Sequence, residues 1–342
     1  MSRAKLIEFG WDEPDPAFMK SHVAEMRATP FDGCVFHLVA DHVDPPPNFT
    51  WQCWSDVRYE RSAFDANVAD LIAARDAGGL ATNFLRFNTT PANIDWFDDF
   101  SAVLHNAEVA ADVARAGGCA GILFDIEQYN AQLFDYSALG ESTGRSWDAY
   151  AEQARRRGAE VMDAFQRGFP DLGVFLTFGY CLPWNQMTRR DAPLEAVPYG
   201  LLAPFLDGMV DACDGEATLI DGHESSYSYR EPSQFDEARR RLETDLLPIV
   251  GDPARYADVF GVAFGLWLDY DWRDNGWDVD DLASNHHQPE QFGACLRRAL
   301  DIADDYVWIY TEAPRWWSED GPVKLPEAYV DAITDAVASH GT

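Results

Sequence analysis

Short apolar runs alternate along the whole chain with longer segments in which apolar residues recur every three or four positions. Residues 6–10 read as a strand, and 16–28 as a helix with Phe18, Val23 and Met26 on its apolar face. A turn at Phe31-Asp32-Gly33 leads into a second strand over 34–39. The next segment, 41–61, carries three prolines together with Phe49, Trp51, Trp54 and Tyr59, and reads as a long loop.

The same unit then recurs. A helix begun by Ser62 and stopped by Gly78-Gly79 precedes a strand over 83–88, and a helix over 94–116 precedes a strand over 121–127. A helix capped by Ser146 and ended by Pro170 precedes a strand over 173–178. Helices over 201–212, 232–246 and 289–302 precede strands over 218–221, 259–268 and 306–310, and a helix over 326–337 closes the chain. Strands and helices both number eight, and no break in composition marks a linker. The pattern predicts a single α/β domain over 1–342, a (β/α)8 TIM barrel. A doubly wound sheet competes with it, but the turn after the first strand is Trp11-Asp12-Glu13-Pro14, which is no glycine-rich phosphate cradle.

In such a barrel the chemistry sits at the C-terminal ends of the strands. These ends are loaded with polar groups: Glu8, His37, Arg86 with Asn88, Asp125 with Glu127, Tyr180, Glu224, Asp269 and Glu312. The fourth strand, an apolar run ending in Asp125-Ile126-Glu127, is the most telling. Side chains alternate along a strand, so the two acids face the same way. The following loops are crowded with Trp51, Trp54, Tyr129, Trp184, Trp272, Trp277, Trp316 and Trp317. Clustered carboxylates of divided ionisation and aromatic faces for sugar C–H groups both belong to glycosidic bond hydrolysis.

Charge narrows the partners. The chain has 58 acidic against 26 basic residues, a net charge of −32, and its three lysines are Lys5, Lys20 and Lys324. Nucleic acid and anionic membranes need a basic face, so neither is expected, and a neutral substrate fits better than an anionic one. The acidic excess, with arginine far above lysine, is the surface of a protein kept hydrated in a salt-rich cytoplasm. Six scattered cysteines without a CxxC pair read as buried reduced thiols. The first apolar segment starts too early for a signal peptide, and no stretch is long enough to cross a membrane. A cytoplasmic location is therefore expected; the sequence says nothing of oligomeric state.

The strand-end acids are where the sequence resembles the (β/α)8 glycoside hydrolases. Asp125-Ile126-Glu127 looks like the terminal D-x-E of chitinase-type enzymes, which implies Glu127 as proton donor and Asp125 as its partner. It departs from the longer form of that motif, since Leu123 stands where another aspartate would be. The segments 219–224 and 308–317 look similar to stretches in glycosidase-like barrel proteins of bacteria and archaea. For the second catalytic carboxylate, Glu224 is preferred over Asp269, which lies in the polar run Asp269-Tyr270-Asp271. His37, Arg86, Tyr129, Tyr180, Asp269, Glu312, Trp316 and Trp317 are expected to bind substrate, with no metal or other cofactor. Two other classes compete: a metal-dependent sugar isomerase or epimerase using Glu127, His223, Glu224, Asp269 and Glu312 as ligands, and a saccharide-binding barrel without catalysis.

Overall fold

The computed structural model describes residues 3–41 and 48–340. The prolines expected in a loop at 45–47 lie outside the described residues. Parallel strand segments β1 (Lys5–Gly10), β2 (Gly33–Phe36), β3 (Phe84–Asn88), β4 (Gly121–Asp125), β5 (Gly173–Leu176), β6 (Thr218–Asp221), β7 (Phe260–Val262), β8 (Phe264–Trp267) and β9 (Tyr306–Thr311) form one sheet. Their order is β7-β6-β5-β4-β3-β2-β1-β9-β8.

The two ends of that order are consecutive in the chain, with only Ala263 between them. Ala263 N donates to Asp221 O at 2.8 Å, extending the β6–β7 ladder by one residue, and Phe264 then takes its place beside Val307 of β9. The seventh strand expected over 259–268 is thus one run shared between two neighbours. The sheet has nine segments where eight strands were expected, and it closes into an α/β barrel.

Helices α1 (Pro16–Ser21), α2 (Val23–Arg27), α3 (Asp65–Asp76), α4 (Ser101–Gly117), α5 (Tyr136–Thr143), α6 (Trp147–Gly168) and α7 (Cys181–Arg190) accompany the first half of the barrel. The second half carries α8 (Leu202–Ala212), α9 (Pro232–Arg240), α10 (Pro253–Val259), α11 (Trp272–Asn275), α12 (Pro289–Ile302) and α13 (Glu327–Ser339). The helix expected over 16–28 is broken at His22, where Ser21 Oγ and His22 Nδ1 both bond back to Phe18 O and compete with the helical ladder. The one expected over 94–116 starts only at Ser101, because Asp95, Asp98 and Asp99 accept nearby backbone N–H groups and hold the preceding residues in turns. Helices α5, α7, α10 and α11 lie in connections that the apolar pattern left unassigned.

Strand alternation divides the core in two. Ile7, Phe9, Val35, Phe84, Leu123, Phe175, Ile220, Ala263 and Trp308 fill the barrel interior, while Leu6, Leu85, Phe87, Ile122, Phe124, Val174 and Leu219 pack outward beneath the helices. Inward positions at the base of the barrel include Gly121 and Gly173. A Cβ on Gly121 would stand 1.9 Å from Gly173 O, so only glycine allows β4 and β5 this approach. The edge-to-face pair Phe84–Tyr306, centroids 5.2 Å apart, closes the floor.

Candidate active site

Continuing the inward register past the apolar layers brings a polar set to the other end of the barrel. Phe9 leads to Trp11, Val35 to His37, Phe84 to Arg86, Leu123 to Asp125 and Glu127, and Phe175 to Thr177. Ile220 leads to Glu224, Gly265 to Trp267, and Trp308 to Tyr310 and Glu312. All of these except Asp125 line a cleft of about 560 Å³, which Glu13, Trp51, Tyr129, Tyr227, Arg273 and Arg315 also border. A shallower recess of about 910 Å³ adjoins it and shares Trp11, Glu13, His37, Glu312 and Arg315. Glu127 and Glu224 border the smaller cleft and not the larger recess.

Asp125 lies just beneath the cleft floor, fully buried. Arg86 Nη2 donates to its Oδ2 at 2.6 Å, and Arg86 Nη1 donates to Glu13 Oε2 at 2.8 Å. The guanidinium fork is therefore shared by two carboxylates, and the Glu127 backbone N–H adds a second donor to Asp125 at 3.1 Å. Glu13 also approaches His37, whose Nδ1 stands 3.6 Å from Glu13 Oε1.

The Tyr129 hydroxyl contacts Asp125 Oδ2 at 3.0 Å and also Glu127 Oε2. One phenolic proton serves two acceptors. When it goes to Asp125, the partner of Arg86, the contact with Glu127 is a hydrogen bond only if Glu127 carries a proton. The electrostatics favour that state: burial and then the Asp125 charge push the Glu127 carboxyl up to about 7. Glu224 is raised well above the ordinary carboxylate range, first by burial and then by Glu127 and Asp125. These two carboxyl groups face one cleft, and each makes the other harder to ionise.

Glu224 begins a 3-10 turn (Glu224–Ser226) held to the far side of the barrel seam by Ser226 Oγ, which donates to Gly265 O at 2.8 Å. Glu312 receives Trp272 Nε1 at 2.6 Å and Arg273 Nη2 at 2.5 Å. On the rim, Trp51 is 39% exposed, stands edge-on to Tyr129 and is covered by the Arg86 guanidinium at 5.4 Å.

Several expected site residues lie elsewhere. Tyr180 is fully buried and donates to Asp207 at 2.8 Å in the helix layer, away from the cleft. Asp269 is no solvated loop acid: it accepts Glu312 N at 3.1 Å, Ala313 N at 2.8 Å and Trp267 Nε1 at 2.8 Å, tying β8 to the loop after β9. Trp316 is buried against Phe31, and Trp317 borders only the larger recess. Of the other aromatics expected at the rim, Trp54 is in the core, Trp184 lies under Arg241 and Trp277 packs on Tyr329. Glu8 points outward, since its neighbours Ile7 and Phe9 face the barrel interior. His223 likewise faces the helix layer, so the ligand set imagined for an isomerase does not converge on one point. Glu13, Thr177, Trp267, Tyr310 and Arg273 were overlooked; for Thr177, Trp267 and Tyr310 the period-two register from the apolar strand positions was the available signal.

No family model matches the sequence, and no curated protein matches it. Among solved structures the chain is similar to GH5_18 from Streptomyces cattleya in complex with GlcNAc, with TM-score 0.50 and 12% identity over 99% of this chain and 80% of that one. A GH5-4 broad specificity endoglucanase from an uncultured bacterium gives TM-score 0.49 and 12% identity over 96% and 86%. The E. coli 3-keto-D-glucoside 4-epimerase YcjR gives 0.43 and 14% over 98% and 100%. The likeness to the first of these extends along nearly the whole chain, and what it shows is the α/β barrel fold.

Proposed function

We propose that the protein is a glycoside hydrolase acting on a neutral saccharide, with Glu127 as general acid and Glu224 as the second catalytic carboxylate. The observation that carries this reading is the pair itself: two carboxyl groups on one cleft, both raised by burial, Glu127 further by Asp125 and Glu224 further by Glu127, so that one holds a proton near neutrality. Arg86 is bonded to Asp125, and the Tyr129 hydroxyl turned toward Asp125 leaves its oxygen to accept the Glu127 proton until a leaving group takes it. Glu224, once ionised, faces the anomeric centre. Trp51, Tyr129 and Trp267 offer ring faces to the sugar, and the acids Glu13, Glu127, Glu224 and Glu312 disfavour an anionic ligand.

The test is turnover of a panel of aryl glycosides and neutral oligosaccharides at high salt by the parent, Glu127→Gln and Glu224→Gln. With Glu127 as acid, Glu127→Gln loses activity on unactivated substrates and retains it on aryl glycosides with good leaving groups, whereas Glu224→Gln loses both. Saccharide binding without turnover by the parent overturns the enzyme reading in favour of a binding barrel.

A further inference from the structure

On the outward face of β6, behind the cleft, three side chains of different chemistry come together in the layer between sheet and helices. Cys181 opens α7, Asp221 ends β6, and His223 follows two residues later in a left-handed conformation, φ 44° and ψ 51°. A thiol sulfur, a carboxylate oxygen and an imidazole nitrogen from the three lie within 4.8 Å of one another, and no other His, Cys, Asp and Glu group among the described residues is gathered this way. All three are at most 1% exposed. Cys181 Sγ stands 3.9 Å from Asp221 Oδ1, near the edge of about 3.5 Å that a tetrahedral ion spans between sulfur and oxygen ligands.

His223 Nδ1 lacks any hydrogen-bond partner, and Asp221 Oδ2 lies against the Gly179 backbone. A buried polar atom is seldom left without a partner, because the loss of hydration is uncompensated. The other imidazole nitrogen, Nε2, is 3.3 Å from the Tyr229 hydroxyl; in the tautomer in which Nε2 donates to that oxygen, the free lone pair is on Nδ1. We propose that Cys181, Asp221 and His223 bind a divalent transition-metal ion of the zinc type through Sγ, a carboxylate oxygen and Nδ1.

The donor set selects the class of ion. Thiolate with imidazole suits zinc or cobalt and does not suit calcium or magnesium, which take oxygen ligands. Charge agrees, since a thiolate and a carboxylate together cancel a dication, so the buried site is neutral when filled. Burial holds the His223 imidazole down to about 3, which keeps it an uncharged donor at neutral pH. Burial likewise raises the Cys181 thiol, so binding must break the S–H bond, form the S–metal bond and release the proton to solvent. Affinity therefore rises with pH. A nucleophilic role for this thiol does not fit, because the sulfur has no exposed surface and borders no cleft.

The ion would be structural. It joins the start of α7 to the end of β6 and holds the residues on both sides of Gly222, immediately before Glu224. The site stands independently of the glycosidase reading.

The test uses the full-length protein, stripped with chelator and titrated with cobalt(II). The expected result is one equivalent bound, with a near-ultraviolet thiolate-to-cobalt band, visible bands of a tetrahedral site and displacement by zinc. Cys181→Ser removes the thiolate band, and the control Cys213→Ser keeps it. Absence of the band in the parent at saturating cobalt, or its survival in Cys181→Ser, overturns the site. Should Cys181→Ser fail to fold, X-ray absorption at the zinc edge of the parent decides: one sulfur scatterer among nitrogen and oxygen supports the site, and none or several overturns it. Both readouts are independent of glycosidase turnover.

Discussion

Arg86 and Asp125 form an ion pair of 2.6 Å inside the barrel, between a guanidinium 11% exposed and a carboxylate 1% exposed. Two charges so withdrawn from water are tolerated only together, and Arg86 also answers Glu13 at 2.8 Å. Arg86→Met leaves two carboxylates without their cation and is expected to cost about 3–5 kcal/mol of stability. Denaturant midpoints at fixed high salt measure this. A loss below about 1 kcal/mol would place the pair among solvent-screened bridges instead.

The same pair sets a pH dependence. As the proposed general acid, Glu127 works only while protonated, so activity is expected to decline as pH rises through its value of about 7. After burial, the Asp125 charge is the next cause of that raised value, and Asp125→Asn removes it. The alkaline limb of the kcat/KM profile is expected to move to lower pH in the variant, with the maximal rate reached only on the acid side. An unmoved limb would show that Glu127 is not the group being titrated.

Trp51 and Trp316 should behave oppositely. Trp51 is an exposed platform beside Tyr129, so Trp51→Ala is expected to raise KM roughly tenfold with kcat and melting temperature little changed. Trp316 is 2% exposed and stands edge-on to Phe31 with centroids 4.7 Å apart. Trp316→Ala is expected to cost about 3–5 kcal/mol of stability. Steady-state kinetics with a neutral oligosaccharide and a thermal melt of each variant separate the two roles.

Glu8 gives a stability prediction with a definite sign. Its carboxyl is buried against that of Asp12, and its value is raised well above the ordinary range by burial and then by Asp12. A group raised in the folded state stabilises fully below its unfolded value, about 4.3, and that contribution is lost as pH rises through the folded value. Glu8→Gln keeps the shape without the titration. The variant should melt higher than the parent above neutrality, with a flatter dependence of melting temperature on pH. A variant curve parallel to that of the parent would show that Glu8 does not titrate in the folded protein.

The barrel was legible because each strand repeats the same apolar run and each unit ends in recognisable caps and breakers. Asp125, Glu127, Glu224, His37, Arg86, Tyr129 and Glu312 were legible for a second reason: polar residues at the ends of apolar strands are few, and the interior must receive every other one. Direction at the very end of a strand was harder to read. Glu8, one residue from the interior register, turns outward, and Tyr180 and Asp269 are taken up by Asp207 and by two backbone N–H groups. The tryptophans misled because loop composition carries no information on which ring folds back into the protein. The grouping of Cys181 and Asp221 with His223, which the sequence offered only as a ligand in the cleft, stayed hidden since two connections separated by about forty residues meet only when β5 and β6 pair.

The seam at Ala263 gives the cleft an uneven stiffness. Around most of the barrel, neighbouring strands are held by ladders of backbone bonds, which resist being pulled apart. Between β6 with β7 on one side and β8 with β9 on the other, the wall is a single residue of covalent chain, reinforced by Ser226 Oγ on Gly265 O, by Trp308 Nε1 on Gly222 O and by the Val262 N–H on Asp304. Glu224 belongs to the first side and Trp267 with Glu312 to the second. The width of the gap across which a bound sugar ring would fit is thus set here by a few side-chain bonds and the Ala263 backbone, where elsewhere a full strand ladder sets it.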